Sequence, residues 1–144
     1  MPSFYTAIEI NAPRSVVWQA LIRKENWLRW NTYLYDLSPG QPFRVQESVS
    51  LSLKRASRET ETPIDPRITV LQPTASLQWV YVAPGFLCEH GFELQDMGGD
   101  RTRYTHRIRF TGLLSGLFLP FIRREEQQGS RRMAQELKRY LEGY

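Results

Sequence analysis

One cysteine, Cys88, two histidines and three lysines are all that the 144 residues contain of these types. A lone thiol closes no internal disulfide, so this is no disulfide-framed miniprotein, and a reducing, cytoplasmic setting is the expectation. Long apolar runs are missing as well. The longest weakly polar stretch, Leu113 to Ile122 (LLSGLFLPFI), has ten residues, about half of what a membrane-spanning helix needs. The opening MPSFYTAIEINAPR lacks a basic start followed by an apolar segment, so no secretory signal is expected. Also absent are a glycine-rich phosphate loop, G-x-S-x-G, H-E-x-x-H and C-x-x-C. Their absence removes the usual signs of nucleotide, serine-hydrolase, zinc-protease and dithiol chemistry.

What is present describes one domain over residues 1–144, because a chain of this length with 41% hydrophobic residues buries about two-thirds of its unfolded surface. Nineteen basic against fifteen acidic residues leave a net charge of +4, carried by 16 Arg. No nucleic-acid motif accompanies that charge, and nucleic acid is not an expected partner.

Phe4, Thr6, Ile8 and Ile10 alternate with Tyr5, Ala7 and Glu9, the period of a strand with one buried face. Asn11-Ala12-Pro13 offers a helix start, since proline at the first helical position forfeits no hydrogen bond, and Val16, Val17, Ala20 and Leu21 follow at helical spacing. A second short helix is expected over Glu25 to Trp30. After Asn31 the chain reads as extended segments separated by Ser38-Pro39-Gly40, Gln72-Pro73-Thr74, Ala83-Pro84-Gly85 and Met97-Gly98-Gly99-Asp100. One strand is expected over Phe43 to Leu53, with Phe43, Val45, Val49, Leu51 and Leu53 on one face and Glu47 as the single acidic interruption. Lys54 to Thr62 reads as an exposed connection, and Pro63 and Pro66 make the next strand either begin late, near Arg67, or lie at a sheet edge. From Phe121 on the pattern is helical, with Met133, Leu137 and Leu141 in one stripe. Short turns between strands give an antiparallel sheet, and only this last helix is long enough to cover it.

Turn lengths set a register. A three-residue loop at Met97-Gly98-Gly99 pairs Asp96 with Asp100, Glu93 with Arg103, Phe92 with Tyr104, His90 with His106 and Glu89 with Arg107. That register sets acid against arginine and ring against ring. A two-residue loop at Pro84-Gly85 pairs Leu77 with Phe92, Trp79 with His90 and Tyr81 with Cys88. Both hairpins assign the same interior: Leu77, Trp79, Tyr81, Cys88, His90, Phe92, Leu94, Tyr104, His106, Ile108 and Phe110, with Gln78, Glu89, Glu93, Arg101, Arg103, Arg107 and Arg109 outside. Indole, phenol and imidazole tips need partners when buried. A cavity would supply them, and small or kinking residues near the last helix, Gly112, Ser115, Gly116, Pro120 and Gly129, would hold it off the sheet.

The run I-x-I-x-A-P-x-x-V-W-x-x-L (Ile8 to Leu21), Trp30-Asn31, L-x-W (Leu77 to Trp79), E-H-x-F-x-L (Glu89 to Leu94), Thr102, F-x-G-L-L (Phe110 to Leu114) and L-K-x-x-x-E (Leu137 to Glu142) resembles the START-like, or SRPBCC, superfamily. Within it the pattern is most similar to bacterial polyketide cyclase/dehydrase-like proteins, nearly end to end. The resemblance implies an α+β helix-grip fold: a seven-stranded antiparallel sheet curled around a long C-terminal helix, with two short helices between strands 1 and 2. It also implies a pocket for an apolar small molecule. Where relatives often carry an acidic residue before F-x-G, this chain has Arg107-Ile108-Arg109, so no role of that acid carries over.

The expected function is binding of a hydrophobic or aromatic small molecule, lipid, quinone or polyketide-like, between sheet and helix. Its lining would be Trp30, Val49, Leu51, Trp79, Tyr81, His90, Phe92, Tyr104, His106, Ile108, Phe118, Ile122 and Met133. His90 and His106 read either as a ligand-orienting or proton-transferring pair or as hydrogen-bonded wall residues. Glu47 reads either as a buried acid/base of raised pKa or as a strand irregularity reaching solvent. These three are the candidate catalytic residues of an alternative function, a polyketide cyclase, dehydratase or aromatase with a histidine base. A further alternative is a peripheral lipid-handling or co-chaperone module whose Arg123-Arg124 and Arg131-Arg132 pairs make weak membrane-surface contact, against the plainer reading of a solvated helix face. No metal and no cofactor are expected, Cys88 reads as a small buried hydrophobe, and the chain is expected to be a monomer or a homodimer.

Overall fold

The structure, a computed structural model, describes residues 3–54, 61–112 and 115–143, with the side chains of 115–123 outside the described set. Strand β1 (Ser3–Ile10) leads into α1 (Arg14–Ile22) and a 3₁₀ helix (Lys24–Arg29). Three short strands follow, β2 (Leu34–Asp36), β3 (Leu51–Leu53) and β4 (Thr62–Ile64). Then come β5 (Arg67–Gln72), β6 (Ser76–Ala83), β7 (Phe86–Gly98), β8 (Arg101–Thr111) and the 28-residue helix α2 (Ser115–Glu142).

The expected seven-stranded sheet is instead two sheets, five strands in the order β1-β8-β7-β6-β5 and three in the order β2-β3-β4. They meet along the segment before β3. Gln46 N–H donates to Ile68 O (2.7 Å), Ile68 N–H to Glu47 O (3.0 Å) and Val49 N–H to Pro66 O (3.1 Å). The single strand expected over Phe43 to Leu53 breaks because Glu47 N–H closes a turn on Arg44 O and Gln46 takes φ 72°, a left-handed value incompatible with a continuous strand. Val45 is therefore 46% exposed while Phe43 and Val49 stay buried. Of the two short helices, the first is α-helical and the second 3₁₀. The last helix begins at Ser115, ahead of Phe121 where its stripe becomes legible.

The β6–β7 hairpin has the expected register, with Leu77, Trp79 and Tyr81 opposite Phe92, His90 and Cys88. The β7–β8 hairpin is shifted by two. Gly98 pairs with Arg101 across Gly99-Asp100, both at positive φ, and the register shifts between Asp96 and Gly98. A two-residue turn of this left-handed kind matches strand twist, and the residue left over at Met97 becomes a bulge. Glu89 is thus opposite Arg109, Phe92 opposite His106 and Leu94 opposite Tyr104. An even slip keeps every side chain on its face, and all eleven residues assigned to the interior are buried.

Helix α2 packs on β1 and β8 and against α1. Met133, Ala134 and Leu137 from the helix join Ile10, Ile108, Phe110 and the aromatic wall in one core. Each large apolar side chain buried there contributes about 1.5 to 3 kcal/mol.

Candidate functional site

The inner face of the five-stranded sheet carries two adjacent rows. One runs Trp79, His90, Ile108, Phe4, and the next runs Leu77, Phe92, His106, Thr6. His90 and His106 are therefore diagonal neighbours on β7 and β8 rather than a directly opposed pair. Their rings are still close enough for His90 Nδ1 and His106 Nε2 to share a proton at 2.9 Å. His106 Nδ1 lies 2.7 Å from Ser130 Oγ on α2, and Ser130 Oγ donates to Thr6 Oγ1 at 3.1 Å. The helix thus ties together the two side chains, Thr6 and His106, that face each other across β1 and β8.

Rings hold this chain in place. Phe92 stacks on His106 with centroids 4.2 Å apart and planes 8° from parallel. Trp79 stacks on His90 at 5.6 Å and Tyr81 tilts against it at 5.8 Å. Beside them, the Tyr33 hydroxyl donates to Glu126 Oε2 on α2. Burial is the main cause of three pKa shifts. It holds His106 well below the usual imidazole value, with His90 adding to the effect. It also raises Tyr33, whose phenolate would face the Glu126 carboxylate, and Tyr104, which no charge offsets. At neutral pH the interior is therefore occupied by a neutral His106 and protonated phenols.

These groups are sealed from solvent: His90 is 1% exposed and His106, Glu126, Tyr33 and Tyr104 are 0% exposed. Trp79 Nε1 and Tyr104 OH have no hydrogen-bond partner among the described residues. Two clefts among the described residues open elsewhere. One of about 740 Å³ lies on the outer sheet face over Gly91, walled by Arg67, Arg107, Arg109 and Glu93. Another of about 530 Å³ follows the seam between the sheets, from Ser48 and Ile64 to Tyr81 and Leu87. Tyr81 reaches both this seam and the His90 ring.

Of the expected lining, Trp79, Tyr81, His90, Phe92, Tyr104, His106 and Ile108 share the inner sheet face, and Val49, Leu51 and Met133 are buried in the same core. Trp30 faces another way, stacking on Tyr140 at 6.0 Å beside a small cleft between α1 and α2. Glu47 sits on the exposed turn before β3, away from the interior. Phe118, Ile122 and Arg123 have side chains outside the described residues, while Arg124 and Arg131 are exposed. Among the described residues no three His, Cys, Asp or Glu side chains converge as metal ligands, and no helix is long and apolar enough to cross a membrane.

Glu126, Ser130, Tyr33 and Thr6 are the polar members that the sequence reading left out of the site. A signal was there for two of them. Extending the stripe of Met133 and Leu137 one and two turns back reaches Ser130 and Glu126, polar residues on a buried helix face.

No family model and no curated protein matches the chain. Solved structures do. A START superfamily protein from Mycobacterium smegmatis superposes with a TM-score of 0.75 at 14% identity, over 98% of this chain and 97% of that one. The chain has a START-like fold. Zhui aromatase/cyclase from a Streptomyces species has it too, with a TM-score of 0.68 at 13% identity over 96% of this chain and 94% of that one. So does the di-domain ARO/CYC BexL, with a TM-score of 0.73 at 15% identity over 99% of this chain and 47% of that one. A protein in the dynemicin biosynthetic locus matches with a TM-score of 0.68 at 19% identity, over 97% of this chain and 47% of its own. The chain spans about half the length of these last two. A START-like fold hosts many activities, so function rests on the site itself.

Proposed function

We propose that this chain binds a hydrophobic or aromatic small molecule, lipid, quinone or polyketide-like, between the inner sheet face and α2. The polar chain His90–His106–Ser130–Thr6, set in an aromatic wall, carries the reading. A core that served packing alone would be as stable or more so with apolar residues there, because every buried polar group must recover the hydration it loses. Grouping imidazoles, phenols and a carboxylate in one interior makes sense if they orient the polar end of a guest. Removing about 300 Å² of apolar ligand surface from water would contribute roughly 7 kcal/mol before the costs of association.

Because His90, His106, Tyr33 and Tyr104 are shut off from solvent in this conformation, a guest that reaches them has to part α2 from the sheet. Incubation with a panel of fatty acids, quinones and polycyclic phenols should therefore give retained ligand in native mass spectrometry and a higher melting temperature. It should also shift the His90 and His106 ring resonances. A panel that leaves all three unchanged refutes the reading.

A second reading is a cyclase, dehydratase or aromatase in which His90 is the general base. The neutral His106 that supports it, held well below its ordinary pKa by burial and by His90, favours this alternative. On that reading His90→Ala abolishes turnover of a poly-β-ketone substrate while the protein stays folded, and full turnover by the variant dismisses it.

A further inference from the structure

Strand β7 carries a glycine that the fold does not explain. Gly91 lies in the interior of this 13-residue strand, where a glycine weakens pairing and usually marks a bulge or the close approach of another group. Its register is unbroken, with Gln78 on one side and Arg107 on the other. A Cβ there would meet only the Gln78 side chain, at 3.6 Å. Neither a bulge nor a close neighbour among the described residues accounts for it, which leaves an approach from outside. Gly91 is also the floor of the cleft of about 740 Å³ on the outer sheet face. Two carboxylates flank it along its own strand, Glu89 and Glu93, each two residues away and on the same face. Glu89 is shared with Arg109 at 2.6 Å, and Glu93 has no ion pair among the described residues. Arg107 leans towards β1, its guanidinium 5.7 Å from the Tyr5 ring centroid. The result is a slot with an acid at either end and no side chain at its base, which fits a cation.

We propose that the outer face of the five-stranded sheet is a homodimer interface in which the partner's Arg107 fills the slot over Gly91. Three rows across that face read Ser3-Arg109-Glu89-Val80, Tyr5-Arg107-Gly91-Gln78 and Ala7-Thr105-Glu93-Ser76. A two-fold axis running along the strands midway between β7 and β8 lays each row on its own reverse, as an isologous contact requires. Arg107 then lies over the partner's Gly91, Arg109 over the partner's Glu89 and Tyr5 over the partner's Gln78. Thr105 lies over the partner's Glu93, one row from the incoming guanidinium. Stacked sheets sit about 10 Å apart, a gap in which a long side chain needs an empty position opposite it, and in these rows only Gly91 has no side chain. A foreign guanidinium would also fit the slot, but this chain brings the arginine, the second ion pair and the tyrosine in matching register. Strands about 4.8 Å apart and eight residues long give five of them a face of roughly 600 Å². A standard interface takes about 800 Å² from each partner, so the dimer is a weak one that salt loosens. The contact lies on the opposite side of the sheet from the inner aromatic wall and does not depend on the ligand-binding reading.

Sedimentation velocity tests it. At about 0.1 mM protein and about 50 mM salt the wild type should sediment mainly as a dimer, with an affinity about tenfold weaker at about 500 mM salt. Gly91→Val puts a residue suited to strands where there is room for a Cβ, so its melting temperature should match or exceed that of the wild type, while its dimer affinity should fall at least tenfold, to about that of a monomer. Arg107→Glu and Glu93→Arg should each be monomeric alone. An equimolar mixture of the two should dimerise again, because the carboxylate introduced in one meets the guanidinium introduced in the other. A wild type that stays monomeric at about 0.5 mM in low salt overturns the proposal, since a face of this size should associate at that concentration. So does a Gly91→Val chain that dimerises like the wild type, or a mixture of the two charge variants that stays monomeric. If a monomeric wild type instead binds arginine ethyl ester, read as shifts of the Gly91 and Glu93 amide resonances, the slot belongs to a foreign cation and the second copy is likewise overturned.

Discussion

Lys24 is the buried cation among the described residues, and replacing it separates two views of what an interior ion pair does. It lies on the 3₁₀ helix with 2% of its side chain exposed, opposite Asp36 at 7% on β2. Lys24 Nζ donates to Asp36 Oδ1 at 2.7 Å and to Ser38 O at 2.7 Å. Asp36 Oδ1 also accepts from Ser38 N–H at 2.9 Å, while Oδ2 has no partner among the described residues. Lys24→Met keeps the aliphatic stem and leaves that carboxylate buried without its cation, at a cost of about 3 to 5 kcal/mol. With an m-value of about 2 kcal/mol per molar urea, the midpoint falls by about 2 M. The melting temperature falls by roughly 10 °C or more. Lys24→Met with Asp36→Asn removes both charges and should recover all but about 1 to 2 kcal/mol of that loss. Urea titration of the wild type, both single variants and the double variant gives the coupling energy. A loss below about 1 kcal/mol for Lys24→Met alone would refute the reasoning, since it would mean that Asp36 is hydrated or repartnered as soon as the ammonium is gone.

Stability should fall on acidification. The folded pKa of His106 lies below its unfolded value of about 6.5, so the unfolded chain binds the extra proton and stability declines as pH drops under about 6.5, at up to about 1.4 kcal/mol per pH unit. His106→Gln should flatten that slope in urea titrations at pH 5 and 7. Tyr33 shifts the other way: its raised folded pKa leaves its contribution intact below about pH 10 and lost above it, and Tyr33→Phe should cost about 1.5 to 3 kcal/mol at neutral pH by removing the donor to Glu126. Two glycines should behave oppositely. A Cβ on Gly91 would meet only the Gln78 side chain, at 3.6 Å, so Gly91→Ala should stabilise β7 by about 0.5 to 1 kcal/mol. At Gly112, φ 131° and a Cβ 2.7 Å from Gly85 O make Gly112→Ala destabilising, so thermal melts should show a higher melting temperature for Gly91→Ala and a lower one for Gly112→Ala.

The face of each strand was legible because side-chain alternation survives any even slip. The pairing of β7 with β8 was not, because one bulged residue at Met97 changes which residues meet without changing which side they face. Charge pairing misled there: Glu89 does find an arginine, but Arg109 at 2.6 Å and half-exposed, where such a pair has little power to choose a register. The strand expected from Phe43 to Leu53 shortens to β3 for a related reason. Its alternation continues on paper through Gln46, where the backbone turns into a left-handed conformation that apolar patterning does not record. In the site, the two histidines stood out as polar residues on an aromatic face. Ser130, which bonds His106, and Glu126, which accepts from Tyr33, lie among arginines, glutamates and glutamines, so only the backward extension of the Met133–Leu137 stripe points to them.

The first strand of the sheet has a temporal consequence. Within its sheet β1 pairs with β8, its nearest pair being Ile10 with Thr102, and closing a loop of that length costs about 4 kcal/mol in chain entropy before any contact repays it. On a ribosome adding about 5 to 20 residues per second, β1 waits roughly 5 to 20 s for its partner. Helix α2, whose Ser130 and Lys138 hydrogen-bond to Thr6 and Glu9 on that same strand, emerges later still. A later-made helix therefore covers an earlier-made strand. Until β8 and then α2 are made, Phe4 and Ile10 lack neighbours that bury them in the finished domain.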